Sequence, residues 1–276
     1  MQEQESNKGR LDYYELSSVS HGSLMNIMGT RFDMVMVGKN KSASEAIWGE
    51  VSAELERLNS MLNRFDKTSE ISRINREAFV NSVRVSSEMW SILRSCKHYH
   101  SRTFGLFDIT LKDFSKVVLS EETSSVAFLQ PNVSLDLGGF AKGYAMRKIK
   151  KMLIDAEVRH CFVDFGNSAV LGIGHHPYGD SWKVSIENPF NKAQILHETA
   201  LKDEALSVSG NTPSYTGHIV RPDSGNATQA RQLICVTASD PLDAEVLTTA
   251  LMIADQEEKK QLIRNFEIKE QFEFNL

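Results

Sequence analysis

The chain has 276 residues, 41% hydrophobic and 24% charged, with a formal charge of -5 and a pI near 5.9. That is globular composition, with length for one large domain or two small ones. Lys and Arg are scattered without a like-charge block, which speaks against a nucleic-acid surface, and no run approaches the ~20 apolar residues of a membrane span. The three cysteines, Cys96, Cys161 and Cys235, are far apart and form no CxxC pair. A zinc site or disulfide framework is therefore not expected.

The N-terminus, MQEQESNKGR, is polar and lacks an apolar signal core. As written the chain is expected to be cytoplasmic; a trimmed leader or lipid anchor would make it periplasmic or membrane-anchored. Residues 1–20 read as a tail or arm and 21–276 as one domain. Residues 24–38 suggest a strand, with Phe32, Met34 and Met36 alternating and Gly38 closing it. Residues 42–65 read as a long amphipathic helix, because Ile47, Val51, Leu55, Leu58 and Leu62 recur at helical spacing. KTSEISRIN reads as a polar turn entering a short helix, and Ser87 is expected to cap the next. Residues 115–125 are Ser-rich and poorly patterned. A helix over 140–156 opens at a Gly pair. Strands are expected over 161–165, 169–173, 182–186 and 233–238. Pro241 starts a helix, Asp255 begins another, and the alternating KEQFEFNL suggests an edge strand. Helices interspersed with antiparallel-looking strands point to an α+β layered domain.

Five segments carry candidate chemistry. Residues 135–145 read LDLGGFAKGYA. A strand turning into a helix through glycines gathers backbone N–H groups and a positive helix end, which suits a phosphate, and Lys142 adds a full charge. The plainer alternative is a turn that uses Gly for steric reasons. Residues 243–251 read DAEVLTTAL, which sets Glu245 and Thr249 four apart on one helix face. A carboxylate and a hydroxyl are hard ligands that suit Mg²⁺; the alternative is an exposed Glu beside a Thr bonded to its own helix. Residues 207–225 read SVSGNTPSYTGHIVRPDSG. Here His218 offers a general base, or a structural imidazole, and Ser209 and Gly210 offer a hydroxyl and a backbone donor to an anion. FDIT at 107–110 and NIMGTRF at 26–32 place Phe107 and Met28 where a ring ligand or the core would take them. The adjacent His175 and His176 have no partner at ligand spacing and read as a solvated turn.

In this order MGTRF, NRFDKTSEISRIN, FDIT, LDLGGFAKGYA, the SGN…GHIVRP stretch and the TTAL helix resemble the ApbE family of FAD:protein FMN transferases, over residues 28–253. The resemblance implies an α+β domain that holds FAD and Mg²⁺, moves FMN to a Thr hydroxyl of an acceptor protein and releases AMP. It implies that Asp136, Gly139 and Lys142 belong to the pyrophosphate and metal segment, with the Gly139 carbonyl on the metal. Glu245, Thr248 and Thr249 fall on the metal helix. Met28, Phe65, Leu106, Phe107 and Asp108 line the flavin, Ser209, Gly210 and Ile219 contribute to the cofactor site, and His218 activates the acceptor alongside Lys142. The sequence departs from the family pattern in placing Glu245 where Asp is usual, Phe65 for Tyr, Arg147 and Arg221 for Asp, and Gly166-Asn167-Ser168 for GGD. About 25 residues separate FDIT from LDLGG, fewer than is usual. A non-catalytic flavin-binding or regulatory module, or a FAD pyrophosphatase on the same scaffold, are the alternative readings.

Overall fold

The computed structural model describes residues 9–213 and 215–276. The chain begins with a meander, β1 (Arg10–Tyr14), β2 (Val19–Ile27) and β3 (Thr30–Val37). The arm expected up to residue 20 therefore already pairs into a sheet from Arg10; residues 1–8 lie outside the described residues. The single strand expected over 24–38 is a hairpin. Ile27 pairs with Thr30, which leaves Met28 (φ 47°) and Gly29 (φ 77°) as a two-residue loop. Both residues being left-handed matches the twist of the flanking strands.

Helix α1 (Lys41–Leu62) is capped by the Asn40 side chain and buries Val51, Leu55, Leu58 and Leu62 of the expected stripe, with Trp48 taking the buried place expected of Ile47, which is half-buried. Helix α2 (Glu70–Glu77) is capped by Ser69, and α3 (Ser87–Arg102) follows the two-residue strand β4 (Val83–Arg84). The cap of α3 is Ser86, one residue before the expected Ser87, since the Ser86 hydroxyl accepts from Met89 N. The poorly patterned stretch at 115–125 holds structure after all. Strands β5 (Val117–Ser120) and β6 (Ser125–Phe128) form a hairpin that joins β4 in a three-stranded sheet. Val117, Val126 and Phe128 of β5 and β6 enter the core beside Val83 of β4, with Leu119 packed against it, in strands too short for a two-residue period to stand out.

Helix α4 (Ala141–Asp155) leads into β7 (His160–Phe165), β8 (Ala169–Ile173), a long hairpin of β9 (Trp182–Asn188) and β10 (Asn191–Leu201), then β11 (Glu204–Gly210) and β12 (Gln232–Ala238). Helices α5 (Pro241–Leu251) and α6 (Gln256–Arg264) precede β13 (Glu270–Asn275). The sequence reading contained neither β10 nor β11. The main sheet is antiparallel with order β1-β2-β3-β7-β8-β11-β12-β13, so β13 stands at an edge as its alternation predicts.

Strand alternation sends residues to two separate cores. Phe32, Met34, Met36, Cys161, Val163 and Phe165 face α1, α4 and the helical layer. Phe162, Val170, Leu206 and Cys235 face the opposite way, where the β9–β10 hairpin covers them with Trp182, Ile186 and Leu201. The Trp182 indole N–H donates to the Ile173 carbonyl at 2.9 Å, which lets a polar ring be buried in that layer. Helices on one face of an antiparallel sheet make this an α+β fold. The three cysteines are free and buried, and burial pushes the Cys235 thiol up to about 12. Among the described residues no helix is long and apolar enough to cross a membrane.

Candidate functional site

The site is built where α4 crosses α5 beneath β11. Gly143 makes the crossing possible. A methyl group there would stand 2.7 Å from Glu245 Cβ and 3.0 Å from Leu242 Cα, so only glycine permits this approach. One residue earlier, Lys142 Nζ donates to Glu245 Oε1 at 2.9 Å. Their side chains are 20% and 6% exposed, so the contact is shielded from water. The other carboxylate oxygen, Oε2, accepts from the Ser207 hydroxyl at 3.3 Å. The turn before α4 reaches the same place, since a methyl on Gly139 would lie 3.2 Å from Thr249 Oγ1 and 3.7 Å from the Phe107 ring. The diglycine turn and the late threonine helix therefore meet, although 103 residues separate Lys142 from Glu245.

The hydroxyls of α5 differ in what they have left to offer. Thr248 is fully buried. Its hydroxyl donates to the Glu245 carbonyl at 3.0 Å, accepts from Ser209 at 2.9 Å and contacts the Ser207 hydroxyl at 3.0 Å. Ser207 has one proton to give to either Glu245 Oε2 or Thr248, so Thr248 has its proton and at least one lone pair engaged, which in a fully buried hydroxyl suits a positioning group better than a ligand. Thr249 Oγ1 donates to the same Glu245 carbonyl at 3.0 Å, its one hydrogen bond among the described residues, and its lone pairs lie next to Gly139.

Residues 135–137, expected as a strand, form no ladder. The segment is an extended loop pinned at Leu135, whose N–H and carbonyl both bond the Asn75 side chain, at 2.7 and 3.0 Å. Asp136 accepts from Gly138 N at 2.9 Å and faces Arg64 at 3.3 Å. The amides of Phe140 and Ala141 both donate to the Leu137 carbonyl. Three amides of this turn are thus used within it, while those of Gly139, Lys142 and Gly143 have no acceptor among the described residues, so the start of α4 adds N–H groups to the charge of Lys142.

His218 stacks on Tyr215, with ring centroids 3.9 Å apart and planes inclined by 22°. Its Nδ1 is buried without a hydrogen-bond partner. Burial, helped by the charge of Lys142, holds the imidazole below its ordinary pKa of 6.5. A neutral imidazole can accept a proton near pH 7, as a general base must.

The remaining candidates divide. Ser209 touches the site through Thr248, and Phe107 lies beside Gly139. Phe65 is 81% exposed, with the Arg64 guanidinium 4.7 Å from its ring centre, and Arg64 in turn reaches Asp136. Met28 is fixed by its N–H, which donates to Asn59 Oδ1 at 3.0 Å. Leu106 and Ile219 are buried in the helical-side core. Gly210 lies at the end of β11, where a methyl would stand 2.5 Å from the Gln232 carbonyl, so its lack of a side chain serves the close β11–β12 approach. The Asp108 carboxylate is turned into its own loop, where it accepts from Thr110 N, Thr110 Oγ1 and Phe114 N at 2.7 to 2.8 Å. Ser207 was not among the sequence candidates. Its signal is the Ser-Val-Ser step, which in a strand sends both serines to one face.

Two basic departures are absorbed by ion pairs. Arg147 binds Asp240 and the Tyr99 hydroxyl, at 2.6 and 2.7 Å, and Arg221 grips Glu258 with two bonds at 2.7 and 2.9 Å. A separate hollow of about 410 Å³ lies on the small sheet, lined by Ser82, Arg84, Glu122, Thr123 and Ser125, and shares no residue with the site.

The ApbE family model matches residues 28–123 and 111–272, nearly the whole described chain. The chain belongs to the ApbE family. Among ApbE relatives, the FAD:protein FMN transferase of Klebsiella pneumoniae (strain 342) is 22% identical over 279 residues, covering 86% of this chain and 79% of the relative. That of Escherichia coli (strain K12) has the same identity and coverage. The solved flavin transferase ApbE from Vibrio cholerae superposes with a TM-score of 0.80 at 19% identity, over 91% of this chain and 92% of the other. The ApbE protein from Thermotoga maritima gives 0.76 at 19% identity, over 94% and 91%. At these identities the structural likeness is one of fold.

Proposed function

We propose that this chain is a flavin transferase that moves FMN from FAD to a threonine hydroxyl of an acceptor protein and releases AMP, with Mg²⁺ at the α4–α5 crossing. The observation that carries this reading is the meeting of Lys142, Glu245 and the Gly139–Thr249 contact at one place. Among the described residues no cluster of three or more His, Cys, Asp or Glu is placed to hold a metal. The donor set is instead one carboxylate, a hydroxyl with lone pairs to spare and a glycine backbone, all hard oxygens of the type Mg²⁺ takes while keeping waters and phosphate oxygens as its other ligands. The ammonium now resting on Glu245 marks a place where positive charge is accepted. The residues fit the ion, with Glu245, Thr249 and the Gly139 carbonyl as its holders.

When bound there, Mg²⁺ supplies neutralisation of charge on the pyrophosphate oxygens. The protein's own groups do the rest. Lys142 offsets the charge that develops on the leaving phosphate. The threonine oxygen bonds to the phosphorus of the FMN half, the bridging P–O bond breaks, and AMP departs with the bridging oxygen. His218, kept neutral by burial and by Lys142, takes the hydroxyl proton. The partly buried Met28 and the exposed Phe65 offer apolar surface for the flavin ring, while Phe107 is buried in the core behind Gly139.

The test is incubation of the full chain with FAD, Mg²⁺ and a cognate acceptor, followed by mass spectrometry. The expected product carries one FMN on a threonine, with an equal amount of AMP. AMP without labelled acceptor would make the protein a pyrophosphatase, and FAD bound with neither product would make it a binding module.

A further inference from the structure

Of the acids where α4 meets α5, Asp240 and Asp243 face Arg147, whereas Glu245 is held by Lys142 at 2.9 Å in surroundings that are nearly dry. The hydroxyls around it are neutral, so the pair is close to charge-balanced as it stands. A dication cannot join Glu245 while an ammonium remains on the same carboxylate without strong repulsion, because shielding from water leaves that repulsion largely intact. Nothing comparable fixes the other oxygen, since Ser207 on Oε2 is neutral and can stay. Lys142 is also the mobile partner. Its ammonium sits on a flexible four-carbon stem, whereas Glu245 springs from a helix packed against Gly143.

We infer that Lys142 is an exchangeable counter-ion of Glu245, so that a metal ion and Lys142 compete for one carboxylate, and the ammonium displaced by the metal is handed to an anionic ligand at the mouth of α4. The inference rests on the metal-site reading above. Linkage makes the effect reciprocal: an anion that draws Lys142 off Glu245 strengthens metal binding by the factor by which the metal strengthens the anion. Metal and pyrophosphate would then load together rather than singly.

Mn²⁺ binding to the full-length chain, followed by the EPR signal of the free ion, tests this without turnover. Removing the competitor in Lys142→Met is expected to tighten Mn²⁺ about tenfold in the absence of FAD, the scale of one like-charge contact partly screened. FAD is expected to tighten Mn²⁺ in the unaltered protein and to lose most of that effect in Lys142→Met. Unchanged or weaker Mn²⁺ binding by Lys142→Met, or no binding by either protein, overturns the competition. Glu245→Gln separates the two ideas. If it abolishes Mn²⁺ binding while Lys142→Met leaves the affinity unaltered, the metal site stands and the competition falls; if Glu245→Gln binds Mn²⁺ as the unaltered protein does, the site itself falls and takes the inference with it.

Discussion

Asp108 and Glu245 are both buried carboxylates, at 6% and 5% exposure, yet they are satisfied in opposite ways. Asp108 draws its three hydrogen bonds from Thr110 and Phe114, within six residues of itself. Two of those donors are backbone N–H groups that have no water to turn to. Glu245 draws its partners from Lys142 and Ser207, 103 and 38 residues away, and both are side chains. A carboxylate bound by its own loop, with its side chain 1% exposed and His100 at 3.7 Å, shapes the chain and is closed to solvent. One bound by distant, movable side chains can change partners. The contrast separates an acid that builds the structure from an acid that works in it.

The sharpest way to break that contrast is Asp108→Ala. Leaving two buried amides and a hydroxyl unpaired is expected to cost about 3 kcal/mol of stability, measured by chemical denaturation. A loss below about 1 kcal/mol would remove the structural role. Next in size is Gly143→Ala. The added methyl must push α5 away, with an expected loss of about 2 kcal/mol and of Mn²⁺ binding together; a stable variant with normal Mn²⁺ affinity would show that the crossing does not need its close approach. Glu245→Gln is expected to cost only about 1 kcal/mol, since Lys142 can swing toward water. A penalty as large as that of Asp108→Ala would erase the distinction between the two acids. The smallest effect concerns His218, followed through its ring protons by NMR. Its midpoint is expected below 6.5 in the unaltered protein, so the neutral ring persists into mildly acidic solution, and Lys142→Met should move it upward because one of the two causes is removed. Burial remains, so the midpoint should still lie below 6.5. An unmoved midpoint would detach His218 from the crossing.

Much of the helical layer was legible because its signals are local. The α1 stripe, the Asp255 cap and the Pro241 start each depend on neighbours within a turn or two. The sites of failure share a different cause. Strand β10 is mostly exposed along Asn191–Ile195 and has no alternation to read, and its place is decided by pairing with β9. Strand β1 likewise exists because β2 is there to bond it. At the candidate site the motifs named the residue types, but not their commitments. Asp108 and Glu245 look alike in a sequence, and so do Thr248 and Thr249.

Taken alone, the amino-acid order determined the family motifs, the helices and the identity of the ionisable groups, since residue spacing and backbone preference act over a few positions. Tertiary structure alone decided that a lysine at 142 would meet a glutamate at 245, that Ser207 would share that carboxylate, and that Asp108 would spend itself on its own loop. Those outcomes depend on how α4 crosses α5 under a sheet strand, and the packing that sets such a crossing is shared among residues scattered along the chain, so no short stretch of sequence encodes it.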